Sequence, residues 1–206
     1  MSNFLIHFLL GIAVSFVGSL PPGVISITVM DTALRKSFRE GLIVAGAASC
    51  MEFFQSFIAV LFSKVFMKSE VVGNFIHYGA GPVFLMLGLF FLTKDKLFPK
   101  KERTETRAAT SVAKGLMVGS LNMFVIPFWI FWSSYFASNN WIDLRLNSIA
   151  IFSAGITVGT MLALSMYARI GLKLASKTAI MAYWGNKTLG LVFIAFAIYQ
   201  FVKLLQ

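Results

Sequence analysis

Glu52 is an acidic residue in the middle of a long apolar run, Gly41–Phe62. An ionised carboxylate at such a depth in a bilayer costs roughly 2.5–3.5 kcal/mol to insert. Desolvation favours its neutral form. A carboxyl in that position can take up and release protons at working pH, which is the chemistry needed to couple the exit of a solute to the entry of a proton. Gln55 lies about one turn further on and is placed to orient it. Both belong to one face of small and polar residues at three- and four-residue spacing: Gly41, Ala45, Ala48, Ser49, Glu52, Gln55, Ser56, Ala59 and Ser63. The plain structural alternative is a permanently protonated carboxyl that holds helices together.

A second constellation is Ser19-Leu20-Pro21-Pro22-Gly23, inside the first apolar run. Two consecutive prolines remove two backbone donors and clash with the preceding turn. The helix is expected to break there. Irregular backbone at membrane depth is tolerated only where protein or a water-filled cavity surrounds it. The carbonyls of Val17 and Gly18 are expected to lose their helical partners. The amides of Gly23, Val24 and Ile25 should open a new half-helix whose N-terminus favours an anion. Acceptors for an ammonium beside donors for a carboxylate suit a zwitterion such as an amino acid. The alternative is a kink whose freed groups are satisfied by neighbouring helices.

Supporting positions in the same cavity are Ser49, Gln55, Asn122 and Pro127. Asn122 can reach across to the first-span break, and Pro127 is expected to kink its helix. Trp129 and Trp132 either face lipid or line the pathway. The spacings Gly115/Gly119 and Gly155/Gly159 suit close helix contacts, inside the bundle or between two copies in a homodimer. His7 and His77 read as interfacial polar residues, and Asp31 as a helix-end charge near Arg35.

The elements that position these residues follow from composition. The chain has 206 residues, 58% of them hydrophobic and 13% charged. Soluble domains carry about 25% charged residues. The sequence is therefore that of an all-α integral membrane protein, since a β-barrel would alternate in segments of about 10 residues. Net charge is +10, but the Lys and Arg lie almost entirely between the apolar runs, so nucleic acid is rejected as a partner. One cysteine, Cys50, excludes an internal disulfide, and two histidines supply no transition-metal cluster. No cofactor is implied. The N-terminus lacks a basic n-region and reads as a retained span.

Six apolar segments are predicted: Phe4–Met30, Gly41–Phe62, Phe75–Leu92, Ala113–Phe136, Ile149–Tyr167 and Lys187–Leu205. They form a single membrane domain over 1–206. A first repeat runs to about 93, a basic cytoplasmic linker covers about 94–112, and a second repeat covers about 113–206. The first, third and fifth loops carry 14 Lys and Arg and the opposite side 4, which puts those loops in the cytoplasm and both termini outside. Tyr78, Trp141, Tyr183 and Trp184 lie near span ends, as interfacial aromatics do. Three spans per half force homologous halves into opposite orientations. Gly18-Ser19-Leu20 and Gly119-Ser120-Leu121 occupy similar places in spans one and four. A 3+3 inverted repeat with its site at mid-membrane is a transporter architecture.

The proline-glycine break, the basic loop Arg35-Lys36-Ser37-Phe38-Arg39-Glu40-Gly41-Leu42, the charged central linker and the fourth-span pattern Lys114-Gly115-Leu116…Leu121-Asn122…Phe128-Trp129-Ile130-Phe131-Trp132 come in that order. Together they resemble the LysE-type (LysE/RhtB) amino-acid exporter family over essentially the whole chain. The resemblance implies a multi-pass exporter of amino acids or related small metabolites in the bacterial cytoplasmic (inner) membrane, working as a proton antiporter. The family's first-span motif is usually Pro-Gly-Pro; here Pro22-Gly23 is followed by Val24 and preceded by Pro21. The family's fourth span usually carries Asn-Pro; here Met123 follows Asn122, and the proline comes at Pro127. The alternative readings are a divalent-cation exporter of related architecture, a membrane-embedded assembly factor or enzyme without transport activity, and a passive channel. Hard cations need several oxygen ligands, and Glu52 is a single deep carboxylate. No Ser/His/Asp constellation or phosphate-cradling loop points to an enzyme.

Overall fold

A computed structural model describes residues 4–66, 81–82, 85–86, 88–89, 92–93, 108–122, 124–173 and 178–204. Seven helices are bounded among them: α1 (Phe4–Gly18), α2 (Val24–Arg35), α3 (Phe38–Phe66), α4 (Ala108–Ser120), α5 (Val125–Ser138), α6 (Leu146–Lys173) and α7 (Thr178–Leu204). The predicted third span falls mainly outside the described residues, as do the linker stretch 94–107, His77 and Tyr78. The positions described between 81 and 93 are helical and pack against α7, where Lys187 Nζ donates to the Leu92 carbonyl at 2.5 Å.

α3 and α6 are each long and apolar enough to cross a membrane. α4 and α5 meet that test only when taken together, as a pair of helices bent by 60°. The first apolar run divides into α1 and α2 around residues 19–23, as the proline pair requires.

Glycine decides how closely the helices approach. A Cβ on Gly11 would strike the backbone of Phe152 and Ile156, one on Gly155 the backbone of Phe8, and one on Gly159 that of Ile12. α1 therefore lies backbone to backbone along α6, with both chains running the same way. α4 meets α3 in the same manner, through Gly115 against Val44 and Gly119 against Ala48 and Met51, again in parallel. Both GxxxG spacings are thus used inside one chain.

α3 and α6 pack on each other in opposite directions, as their shared apolar clusters show. One cluster joins Val44, Ala45 and Ala48 of α3 to Leu164 and Ala168 of α6, with Val29 and Ala33 of α2. The other joins Ala59 and Val60 of α3 to Ile149, Phe152 and Ile156 of α6, with Trp129 and Phe136 of α5. Between the two clusters lie polar residues of both central helices, among them Glu52 on α3 and Thr160 on α6.

His7, in the first turn of α1, is buried against the connection between α5 and α6. It is only 3% exposed, and its Nε2 accepts the Asp143 backbone N–H at 2.9 Å. A buried backbone donor needs an acceptor, and the imidazole supplies it across 136 residues.

Candidate functional site

Four helices meet at Glu52. Its Oε1 accepts the indole N–H of Trp129, from α5, at 3.2 Å. Its Oε2 accepts the Thr160 hydroxyl, from α6, at 2.6 Å. Thr160 Oγ1 also lies 2.5 Å from Ser15 Oγ on α1. The chemistry is complementary, because an ionised carboxylate only accepts and an indole only donates. Hydrogen bonds to a charged group are worth about 1.5–3 kcal/mol each. Among the described residues no cation pairs with this carboxylate.

Packing fixes the donors. Trp129 is fully buried, with Phe152 edge-on at 5.7 Å and Phe128 edge-on at 4.9 Å between ring centroids. Of the two expectations for Trp129, lipid contact is thereby removed. Ser15 and Thr160 are equally buried, held where the glycine contacts bring α1 onto α6.

The break in the first run begins one turn after Ser15. Ser19 N–H donates to the Ser15 carbonyl at 2.9 Å, and Leu20 N–H to the Val17 carbonyl at 3.1 Å. The Val17 carbonyl therefore keeps a partner, contrary to expectation, because the chain tightens into a last i→i+3 turn before the prolines. The Gly23 amide is also occupied. It donates to Ser26 Oγ at 2.7 Å, while the Ser26 hydroxyl donates to the Gly23 carbonyl at 2.9 Å. Gly23 is thus the N-cap of α2. Of the three expected anion donors, Val24 and Ile25 remain, in the first helical turn where no intrahelical acceptor exists. Pro21 and Pro22 lie in the connection between α1 and α2. The Leu20 carbonyl accepts the Tyr167 hydroxyl of α6.

A matching break separates the end of α4 at Ser120 from the start of α5 at Val125. It lies upstream of Pro127. Pro127 occupies the first turn of α5, where its missing N–H costs nothing, so it starts the second half-helix and does not kink a continuous one. Asn122 sits in the break; its amide donates to the Gly119 carbonyl at 3.1 Å and its carbonyl accepts Val125 N–H at 3.3 Å. Gln55 is not turned toward Glu52. Its Nε2 donates to the Gly119 carbonyl at 3.2 Å and to that of Ser120 at 3.5 Å, at the end of α4. The last carbonyls of α4 lack the i+4 donors of a continuing helix and can accept this bond, while both Glu52 oxygens already have donors. Ser49 is buried with its hydroxyl on the Ala45 carbonyl of its own helix at 2.8 Å. The two breaks approach each other at Gly18, where a Cβ would lie 3.0 Å from the Phe128 ring.

Ser15, Thr160 and Tyr167 were not among the expected site residues, and Trp129 was expected only as one that either faces lipid or lines the pathway. Ser15 lies four residues after Gly11, on the face of α1 that packs on α6, whereas no spacing singles out Thr160.

Two charged groups flank the site. On one side Asp31 pairs with Arg35 at 2.5 Å, as its position suggested, and Lys114 Nζ donates to Thr32 Oγ1 at 3.0 Å. On the other, Arg145 grips Asp143 through Nε and Nη2, at 3.1 and 2.9 Å. The hydrogen bonds from Arg145 hold the Asp143 carboxyl well below the usual carboxylate range.

A protein-family model described as LysE type translocator matches residues 16–203. Comparisons with curated proteins and with solved structures gave no match.

Proposed function

This chain belongs to the LysE type translocator family, and we propose that it exports amino acids or related small zwitterionic metabolites across the bacterial inner membrane by proton antiport. The observation that carries this reading is the Glu52 carboxyl. It sits between two apolar clusters, held by neutral donors from α5 and α6 and by no cation among the described residues. A carboxyl in such a place changes charge more readily than one locked in a salt bridge. Protons and a small solute are the partners this implies.

The substrate site is assigned to the first-span break, Val17, Gly18, Pro21, Pro22, Gly23, Val24 and Ile25. Ser49, Gln55, Asn122 and Pro127 support the surrounding structure. The amides of Val24 and Ile25 are its donors for a carboxylate. Helix packing supports the six-span inverted repeat. α1 runs parallel to α6, α4 runs parallel to α3, and α3 opposes α6, so α4 opposes α1. The broken helix of each half is capped from the second helix of the other half, Leu20 by Tyr167 and Gly119 by Gln55. Reciprocal caps of this kind suit a site at the interface of two inverted halves.

The test is efflux from proteoliposomes loaded with an amino-acid mixture under an imposed pH gradient, read by mass spectrometry. Selective loss of one amino acid class supports the reading and names the substrate. Retention of every amino acid by folded protein would remove the amino-acid assignment.

A further inference from the structure

We infer that Ser15 and Thr160 are positioning residues that link the protonation state of Glu52 to the helix break at residues 19–23. The inference rests on the proposed proton-coupling role of Glu52 and deepens it. Trp129 can only donate, so its N–H keeps Oε1 an acceptor in both charge states of the carboxyl. The acid proton must then reside on Oε2, the oxygen that faces Thr160. Thr160 has one hydroxyl proton and two neighbours within hydrogen-bond distance, Glu52 and Ser15.

The two hydroxyls therefore have two arrangements. With Glu52 ionised, Thr160 donates to Oε2 and Ser15 donates to Thr160. With Glu52 neutral, three protons serve two contacts, so one hydroxyl proton must find another acceptor; in the arrangement we infer, Oε2–H donates to Thr160, Thr160 donates to Ser15, and the displaced proton is that of Ser15. Ser15 is 2% exposed, so bulk water does not supply that acceptor, and we assign it to a carbonyl of the preceding turn, the usual back-bonding partner of a helical serine. Such back-bonding by serine bends helices. Ser15 is also the residue whose carbonyl holds Ser19 N–H, the first bond of the break. One residue thus joins the hydroxyl pair to the start of the break.

Of the other titratable groups on the helices packed against α3, Arg169 and Lys173 of α6 lie more than two turns beyond Thr160, and three more are bonded elsewhere. Asp31 of α2 is on Arg35, Lys114 of α4 on Thr32, and Tyr167 of α6 on Leu20. Tyr135 of α5 lies among aromatic rings with Trp132 and Trp141.

The experiment is hydrogen exchange of the segment 19–23 in the full chain reconstituted in nanodiscs, corrected for intrinsic exchange chemistry, across pH 5–9. The infrared carboxyl band that Glu52→Gln removes is titrated alongside. The variants are Thr160→Val, Thr160→Ser, Ser15→Ala and Glu52→Gln, with Thr157→Val as control, since Thr157 bonds the Ser153 carbonyl of its own helix. The wild type should show protection of the segment that changes severalfold across the midpoint of the Glu52 band. Thr160→Val and Ser15→Ala should abolish that change, and Thr160→Val should displace the band midpoint by about one pH unit. Thr160→Ser and Thr157→Val should behave as wild type. Wild-type pH dependence in both Thr160→Val and Ser15→Ala would overturn the link while leaving Glu52's role intact. Unchanged pH dependence in Glu52→Gln would remove that role as well. Protection independent of pH in the wild type would also overturn the link.

Discussion

The indole nitrogen of Trp129 lies 3.2 Å from Oε1 of Glu52, across 77 residues of sequence and from a different half of the chain. The fully buried ring fixes the carboxyl against α5 and decides which of its oxygens can carry a proton. Trp129→Phe keeps most of the ring volume and removes the donor. It is expected to destabilise the protein by about 1–3 kcal/mol, the cost of leaving a buried acceptor unpaired. Thermal unfolding in detergent checks this, and a melting temperature equal to wild type would deny the bond its importance.

Glycine substitutions separate contact from propensity. Gly155→Ala places a methyl against the Phe8 backbone, which cannot move aside as a flexible side chain would. Overpacking of that kind costs roughly 1–3 kcal/mol. Gly46 lies in α3 in open space, with no atom within 4 Å of the place an added methyl would take. Gly46→Ala is therefore expected to be neutral or to stabilise by up to about 1 kcal/mol, since alanine is the better helix former. Parallel melting curves test the pair, and equal loss in both would refute the close α1–α6 contact.

The loop at residues 139–145 should respond to acid. Asp143 has its ionisation favoured in the folded state by Arg145, so it contributes stability above the ordinary aspartate range near pH 4. That contribution is lost as pH falls through and below that range. Asp143→Asn should lack this acid-side loss and match wild type least well near neutrality. His7→Phe removes the acceptor of the part-buried Asp143 N–H and should cost about 1 kcal/mol at neutral pH. Melting temperatures from pH 3 to 8 read both effects.

Topology is open to direct labelling. In a Cys50→Ser background, Asn139→Cys should react with a membrane-impermeant maleimide from outside, and Lys36→Cys only after the membrane is opened. Both positions are exposed. The reverse pattern would invert the orientation derived from the Lys and Arg bias.

The sequence made some of this site legible. A lone acidic residue in an apolar run is conspicuous, and so is Pro21-Pro22, because each follows from local chemistry. The partners of Glu52 were not legible. Ser15, Trp129 and Thr160 come from three other helices, and no periodicity within one helix says which residue of another it will meet. Pro127 shows a different obstacle. A proline inside a helix kinks it, but a proline in a first turn begins one, and the choice depends on where the preceding helix ends. Gln55 shows a third. Spacing put it near Glu52, yet its side chain bonds the last carbonyls of α4, which belong to the other half of the chain.

The central claim is that Glu52 couples protons to solute export. The most direct measurement is proton entry and solute exit, recorded together in proteoliposomes under a pH gradient, for wild type and for Glu52→Gln shown to be folded by its melting curve. The account predicts linked fluxes in the wild type and loss of gradient-driven export in the variant. Export by Glu52→Gln that keeps the wild-type dependence on the gradient would contradict it.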